Sequence, residues 1–205
     1  MAEQSSEART ARILHGLDEI SADDWNRCAN PGDAVPYDPF VSFEFLSALE
    51  ESGSATARTG WQPFHLALEE GSRLIGVMPL YVKGHSQGEY VFDYAWADAW
   101  HRAGQNYYPK LQASVPFTPA TGRRALVGAP DEASERLLLG AAVQVCEQVE
   151  LSSLHITFMP EPQWRLAGEL GYLRRMDQQY HWHNPGYGSF EAFLDDLSSK
   201  KRKNL

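Results

Sequence analysis

The chain has 205 residues, 43% of them hydrophobic and 22% charged, which is the composition of a globular protein with one large or two small domains. Its formal net charge of −9 argues against a general nucleic-acid binder. No apolar run approaches the ~20 residues that span a bilayer, and the polar start lacks a signal-peptide core. Two widely separated cysteines, Cys28 and Cys146, suit a reduced cytoplasmic protein and cannot by themselves form a zinc site.

The first part of the sequence predicts two capped helices and then a hairpin. Ser21 and Ser42 stand at N-cap positions, and Pro79 marks a bulge or an unpaired side of the return strand. The predicted elements are, in chain order, a disordered start (1–12), a short strand (13–15), helices over 22–29 and 43–52, and hairpin strands over 61–69 and 73–83.

The remainder alternates between strand and helix patterns. The helix over 131–149 has the strongest pattern, with an acidic first turn and one apolar face, formed by Leu137, Leu138, Ala141, Val145 and Val149. The other predicted elements are strands over 86–92, 109–115, 154–158 and 173–183, and helices over 93–103, 161–170 and 189–197. This order predicts an α/β (α+β) layered domain with a mixed, partly antiparallel sheet.

One stretch, residues 85–122, is unusually rich in aromatic residues interleaved with polar ones. It holds eight of the chain's 24 phenylalanine, tyrosine and tryptophan residues, together with histidine, glutamine, acidic and basic side chains. Such a mixture is typical of a surface that binds a polar ligand, because aromatic rings give rigid contact area and polar groups fix orientation. The alternative is an irregular segment whose aromatic residues are anchored in the core.

Familiar cofactor motifs are missing from the sequence. His181 and His183 would share one face of a strand, but they lack a third ligand nearby, so we expect no metal site. The nearest approach to the pyrophosphate loop of coenzyme A-dependent acetyltransferases is 123–129, where the spacing is wrong and Pro130 interrupts. There is no Walker loop, dinucleotide fingerprint or nucleophile elbow.

The end of the sequence reverses the acidic balance. Lys200, Lys201, Arg202 and Lys203 follow Ser198 at a predicted helix start. Cations are unfavourable at a helix N-terminus, so this cluster indicates an anion site, although a solvated basic tail is the alternative.

Five segments resemble a bacterial family of predicted N-acyltransferases. They are SQGEYVFDYAWADA (86–99), YYPKLQASVPFTPATG (107–122), LSSLHITF (151–158), QQYHWHNPGY (178–187) and FLDDLSSKKRKNL (193–205). This family is related to the Fem-type peptidoglycan aminoacyl-transferases and belongs to the GNAT acetyltransferase superfamily. The resemblance covers roughly residues 36–205.

The resemblance implies a longer protein with two GNAT-like halves packed side by side. In that case 13–197 is the first half, and 198–205 is the start of a connecting helix at which the chain is cut. Fem-type relatives bind the acceptor in a cleft between halves and take an activated acyl donor. We therefore expect no cofactor in this half, with acyl-coenzyme A or aminoacyl-tRNA as the donor of the whole protein, and the missing half as a partner.

Acyl transfer to an amine requires a route for the amine's proton and groups that orient the acceptor. For the proton route we select Glu89, Asp98 and His155; the carboxylates could instead be surface or capping groups, and the histidine a structural one. For substrate binding we select Trp96, Tyr107, Tyr108, Lys110, Thr118, Gln179, His181, Lys201 and Arg202. The competing interpretations are core packing for the aromatic residues, a solvated strand-end lysine for Lys110 and an ordinary turn for Thr118.

The sequence therefore predicts the N-terminal half of a cytoplasmic GNAT/Fem-like N-acyltransferase that acts on an amine, with peptidoglycan biosynthesis as the expected setting. The acceptor would be a small molecule or cell-wall precursor, and the isolated half is expected to be inactive. Two alternatives are open. One is a non-catalytic module that binds a peptidoglycan fragment or nucleotide-sugar, and the other is a conventional acetyl-coenzyme A-dependent acetyltransferase.

Overall fold

A computed structural model describes residues 8–129 and 131–203. The chain divides into two compact units, Met1–Arg174 and Arg175–Leu205. The strands, all in the first unit, are β1 (Arg9–Leu14), β2 (Trp61–Pro63), β3 (His65–Glu70), β4 (Arg73–Met78), β5 (Leu80–Lys83), β6 (Lys110–Ala113), β7 (Leu126–Val127) and β8 (Leu154–Ile156). The α-helices of that unit are α1 (Ala22–Ala29), α2 (Phe43–Glu51), α3 (Tyr94–Arg102), α4 (Glu132–Gln148) and α5 (Glu161–Glu169). The second unit contains α6 (Phe190–Asp196) and α7 (Ser199–Arg202).

The strands form two four-stranded sheets, in the orders β1-β3-β4-β7 and β2-β5-β6-β8. The first sheet is antiparallel throughout, and the second contains one parallel pair, β6 with β8. The predicted hairpin is confirmed, but each of its arms is divided between the two sheets. The first arm breaks at Phe64, between β2 and β3, and the return arm breaks at Pro79, between β4 and β5. Proline has no N–H to donate to a ladder, which explains why the return strand breaks at that residue. The predicted mixed, partly antiparallel α+β architecture is confirmed.

Helices cover both faces of the first sheet. Leu66 and Leu68 of β3 point into a core that α4 and α5 complete, whereas the intervening Ala67 points into a second core that contains Trp25 of α1 and Leu46 of α2. This alternation follows from the two-residue period of a strand. The first core continues beneath one face of the second sheet, so a single apolar layer supports both sheets. Among the described residues, no helix has the length and apolar character needed to cross a bilayer.

Helix starts were predicted well. The Ser21 hydroxyl accepts a hydrogen bond from the Asp24 N–H, and Ser42 caps α2 in the same way through Phe45. Asp131 caps α4 through the N–H of Ala133. These side chains satisfy backbone donors that the helix itself leaves unpaired, so their positions fix where each helix begins.

Several predicted elements were wrong. The first strand starts at Arg9, so 9–12 is not disordered, and the expectation for 1–7 lies outside the described residues. Neither 86–92 nor 173–183 forms a strand. The buried face of α4 is formed by Ser134, Leu138, Leu139, Ala142 and Cys146, while Leu137 and Val149 are exposed. Three consecutive leucines fit more than one helical face, and packing against the sheet decided between them.

Candidate active site

One face of the second sheet carries polar side chains, whereas the opposite face belongs to the apolar core. Alternate residues of a strand point to opposite faces, so the polar residues of neighbouring strands line up. The cross-strand register pairs Lys83 with Lys110, Tyr81 with Gln112, and Gln112 with His155. This row of five residues, which we call the polar face, is covered in part by the irregular segment between β5 and β6.

Lys110 is the centre of a buried charge cluster on the polar face. Its Nζ donates to Asp93 Oδ2 at 2.7 Å, to Glu89 Oε2 at 2.8 Å and to Ser86 Oγ at 3.0 Å. The lysine is fully buried, and the side chains of both carboxylates are 1% exposed. Charge-assisted hydrogen bonds to two carboxylates compensate the cost of removing this ammonium from water.

Lys83 is a second fully buried lysine of the same cluster. Its Nζ lies 3.3 Å from the centre of the Trp61 ring, donates to the Gln87 carbonyl at 3.3 Å and is 3.9 Å from Glu89 Oε1. Burial lowers the pKa of Lys83 to about 7; the Glu89 carboxylate opposes that shift and the Lys110 ammonium adds to it. Lys83 can therefore change charge near neutral pH.

The two carboxylates of the cluster are shifted in opposite directions. Burial raises the pKa of Glu89, and the attraction of Lys110 offsets only part of that shift. Burial also acts to raise the pKa of Asp93, but hydrogen bonds from Lys110, Ser86 and Tyr107 outweigh it and the pKa lies below its ordinary value. Asp93 is therefore the more firmly ionised of the pair.

A chain of hydrogen bonds connects the cluster to His155. Tyr107 Oη donates to Asp93 Oδ2 at 2.8 Å, and the same oxygen lies 3.4 Å from His155 Nε2. Because the tyrosine proton is directed to Asp93, the oxygen can act only as an acceptor toward the imidazole. Ser153 Oγ lies 2.9 Å from the same nitrogen. Burial, reinforced by the Asp93 carboxylate, raises the pKa of Tyr107 well above its usual range, so the phenol stays protonated.

Unpartnered polar atoms concentrate in this part of the fold. In the described residues, five buried side-chain atoms have no hydrogen-bond partner: Tyr81 Oη, Glu89 Oε1, Asp93 Oδ1, Gln112 Oε1 and Ser114 Oγ. The five residues lie on strands β5 and β6, directly after β6, or in the irregular segment between these strands. A buried polar atom left without a partner costs about 1–3 kcal/mol. Such a concentration marks this interior as one that polar groups of a ligand could satisfy.

A protein-family model matches residues 16–205, which is nearly the whole chain, and it describes a FemAB-like family of peptidoglycan biosynthesis/recognition. The chain belongs to the FemAB-like family. No curated protein matches it. The family resemblance inferred from the sequence motifs is therefore confirmed.

Three solved structures similar to this FemAB-like chain are acetyltransferases. A ribosomal-protein-alanine N-acetyltransferase from Brucella melitensis biovar Abortus 2308 is 13% identical, with 86% of this chain and 99% of that chain covered and a TM-score of 0.50. A GCN5-related N-acetyltransferase from Ralstonia eutropha JMP134 is 13% identical, with 85% and 99% covered and a TM-score of 0.44. An aminoglycoside acetyltransferase from an uncultured soil metagenomic sample, in complex with trehalose, is 9% identical, with 87% and 97% covered and a TM-score of 0.43. The first of these establishes the GNAT-like fold.

Five of the residues selected from the sequence of this FemAB-like protein lie together. Glu89, Tyr107, Lys110 and His155 belong to the network described above, and Tyr108 Oη lies 2.6 Å from Ser86 Oγ. Lys110 is buried, so the interpretation as a solvated strand-end lysine is wrong. That it binds an anionic group of a ligand stays a prediction, and its ammonium already contacts two carboxylates.

Three other selected residues of the first unit lie at the surface. Trp96 and Asp98 are on α3, a helix without a buried residue, and Asp98 forms an i,i+4 ion pair with Arg102 at 3.2 Å. Thr118 donates its hydroxyl to the Pro116 carbonyl at 3.1 Å, as in an ordinary turn. The contacts of Asp98 fit the surface-carboxylate interpretation of the sequence.

The remaining selected residues lie in the second unit. Gln179 and His181 are exposed within it and approach each other at 3.3 Å, on a segment that is not the predicted strand. Lys201 and Arg202 are exposed on α7, and Arg202 forms an ion pair with Asp195 at 3.5 Å. In the described part of the chain, no group of three or more histidine, cysteine or acidic side chains could hold a metal.

Sequence reasoning missed three members of the cluster as site residues. Lys83 lies on the polar face of β5, two residues after Tyr81. A charged residue in a strand that otherwise holds only Leu80, Tyr81 and Val82 is the signal by which the sequence could have identified it. Ser86 and Asp93 stood in the aromatic stretch but showed no spacing that distinguished them from their polar neighbours. Only the tertiary fold brings them to Lys110.

The N-terminus of α4 is surrounded by carboxylates. Asp131 accepts from the Ala133 N–H and the Ser134 hydroxyl, and Glu132 and Glu135 follow in the first turn. The hydrogen bond from Ser134 lowers the pKa of Asp131, which keeps this carboxylate charged. Asp131 thus occupies a backbone donor that would otherwise attract a phosphate, and the two glutamates add negative charge at the same helix start. Negative charge at this helix start disfavours a bound pyrophosphate on electrostatic grounds.

Proposed function

We propose that this FemAB-like protein is an N-acyltransferase that transfers an acyl or aminoacyl group to the amine of a peptidoglycan precursor. The family, with its description of peptidoglycan biosynthesis/recognition, supports the setting, and the GNAT-like fold supports the reaction class. The observation that carries the proposal is the path from the half-buried His155 through the buried Tyr107 to the buried Asp93, beside the parallel strands β6 and β8.

Amide formation requires the attacking amine to lose a proton as its nitrogen bonds to the acyl carbon and the bond to the leaving group breaks. In our proposal the His155 imidazole accepts that proton and returns it to the leaving group. The imidazolium formed in between is stabilised by the Tyr107 oxygen, which is polarised by its own donation to Asp93. Lys110 keeps Asp93 ionised, so the path retains the negative charge that it needs.

The donor that we propose is an aminoacyl-tRNA or another activated acyl group that binds outside this domain. The acidic N-terminus of α4 supports this choice, because three carboxylates there would repel a coenzyme A pyrophosphate. We further propose that the domain works as the first of two GNAT-like halves, as the resemblance to Fem-type enzymes implies, with the acceptor between them.

The test is an amide-forming assay on the product of the complete gene, with a nucleotide-linked muropeptide as the acceptor and both acyl-coenzyme A and aminoacyl-tRNA as donors. Mass spectrometry detects the product. His155→Ala should lower kcat by roughly 10²–10⁴-fold, which is the usual contribution of a general base. The matched control, Asp98→Asn, changes an exposed carboxylate and should leave kcat unchanged. Full activity of His155→Ala would refute the proposed site.

The same assay tests the two-half arrangement. The 205-residue chain alone should give no turnover under conditions in which the complete gene product is active. Turnover by this chain at the rate of the complete product would exclude the requirement for a second half.

A second candidate is a module that binds a peptidoglycan fragment or nucleotide-sugar without catalysis. The acidic cap of α4 favours it, because a half that binds no acyl donor need not catalyse. Calorimetry with a soluble muropeptide distinguishes the two: binding with no amide product from any donor supports the module, and product formation excludes it.

A further inference from the structure

Residues 84–106, which we call the lid, join β5 to the approach of β6 and attach to the domain in an unusual way. The buried residues of the lid are Ser86, Glu89 and Asp93. None of its aliphatic or aromatic side chains is buried, and the nine-residue helix α3 within it buries no residue. The lid therefore lacks the apolar face by which a covering segment normally packs on a sheet.

All three buried residues of the lid contact one atom of the sheet. Lys110 Nζ lies 2.7 Å from Asp93, 2.8 Å from Glu89 and 3.0 Å from Ser86. The lysine belongs to β6, outside the lid. Lys110 is thus the one contact that all three buried side chains share. Further hydrogen bonds reach the lid from Tyr107, which donates to Asp93, and from Trp61 Nε1 and the Phe117 N–H, which donate to the Gln87 and Gly88 carbonyls at 3.1 Å each.

Two buried lysines of the sheet face two buried carboxylates of the lid. Lys83 ends β5 and Lys110 begins β6, and the two are direct cross-strand partners. Like charges opposite each other in a sheet destabilise the pair. The carboxylates that compensate them, Glu89 and Asp93, both come from the lid. The buried positive charge therefore comes from the sheet and the buried negative charge from the lid, and the two meet when the lid is closed.

The outer surface of the lid is aromatic. The side chains of Tyr90, Phe92, Tyr94 and Trp96 are between 51% and 78% exposed. A segment with buried charges and exposed aromatic residues gains little from the hydrophobic effect when it is closed. Its closure therefore depends on the charge cluster, and segments with so few buried apolar contacts open at low free-energy cost.

We propose that residues 84–106 form a lid latched by Lys110, and that its closure completes the proton path by bringing Asp93 to Tyr107. The role of closure in acyl transfer rests on the proposed function, whereas the latch itself does not. In the open state Tyr107 keeps its place next to β6 and near His155, but it loses the carboxylate that receives its proton. Lys110 is then a positioning residue that acts through Asp93.

Hydrogen–deuterium exchange on the intact protein without donor or acceptor tests the latch. Lys110→Met keeps an unbranched side chain, one atom shorter, and removes its charge. Exchange within 84–106 should accelerate by at least about tenfold, while exchange within α4 stays unchanged. Unchanged exchange in 84–106 would overturn the proposal, as would an equal acceleration throughout the core.

Two variants on the lid side keep the test decisive if Lys110→Met does not fold. Asp93→Asn and Glu89→Gln preserve shape and leave the sheet unaltered, and each should accelerate exchange within 84–106 alone. The matched control is Asp98→Asn in the same segment, whose exposed ion pair with Arg102 should have no effect on the latch. If Asp93→Asn behaved like this control, the latch would be refuted.

Activity gives an independent result. In the complete gene product, Asp93→Asn should lower kcat and leave KM for the acceptor unchanged, because it removes a group that supports proton transfer and does not bind substrate. The exchange experiment contains no substrate, so its result does not depend on catalysis. Faster exchange within 84–106 alone, combined with no acyl transfer from any donor, would refute the proposed function and support the lid.

Discussion

The lid and helix α4 both cover a sheet, but they are held by opposite kinds of contact. Helix α4 buries Leu138, Leu139, Ala142 and Cys146 in the apolar core that supports both sheets. The lid buries a serine and two carboxylates on a lysine and leaves Tyr90, Phe92, Tyr94 and Trp96 exposed. The domain thus combines a layer held by apolar packing with a layer whose buried side chains all meet at one ammonium.

The physical difference lies in how each contact responds to change. Burial of a leucine stabilises by about 1.5–3 kcal/mol, is non-directional and persists through small shifts of the backbone. A buried ion cluster gains little over its desolvation cost when intact, yet it becomes unfavourable when one partner is removed. Contacts of the first kind suit a scaffold, and contacts of the second kind suit an element that moves.

The largest expected effect is on the scaffold. Leu138→Ala should lower the free energy of unfolding by about 2–5 kcal/mol, because it leaves a cavity in a fully buried site. Chemical denaturation measures the change. Leu137→Ala, one position away and 41% exposed, is the matched control and should stay within about 0.5 kcal/mol. Similar losses in both variants would show that α4 is not packed as described.

A smaller, pH-dependent effect is expected at Lys83, which lies in the same buried charge cluster as Lys110. The folded pKa of Lys83, about 7, lies below its ordinary value of 10.5. Below pH about 7 the amine is charged in both states and the burial cost is fully present. As the pH rises from about 7 toward 10, the unfolded chain holds the proton more strongly, so the stability of the folded state increases.

Lys83→Met removes this dependence and serves as the reference. Relative to the variant, the unaltered protein should gain about 1–3 kcal/mol between pH about 6.5 and about 9.5, measured by urea denaturation at each pH. Parallel stability curves for the two proteins would mean that Lys83 keeps an ordinary pKa and that the cluster is not coupled as described.

Much of the fold followed from local chemistry. Ser21, Ser42 and Asp131 fixed helix starts because a side-chain cap is a local contact. The hairpin followed from its strand pattern and turn. The predicted strand over 173–183 was wrong, since alternation alone does not supply a neighbouring strand to pair with.

The candidate site could be predicted only in part. The aromatic stretch and the family resemblance pointed to Glu89, Tyr107 and Lys110, which do lie together. Tyr107 is anchored in the interior, as the core interpretation expects, whereas Phe92 is 78% exposed. That the stretch binds a polar ligand stays a prediction. What the sequence could not reveal is that Lys110 meets carboxylates of its own chain, because that contact spans 17 residues or more and depends on the fold.

Native-state hydrogen exchange of the unaltered protein tests the central comparison most directly. The amides of 84–106 should exchange through local opening, with protection far below that set by global unfolding. Their exchange rates should depend only weakly on the concentration of denaturant. The amides at the centre of α4 should exchange only through global unfolding. Equal protection of the two segments would contradict the account, because it would mean that the lid and the helix are held to the domain equally firmly.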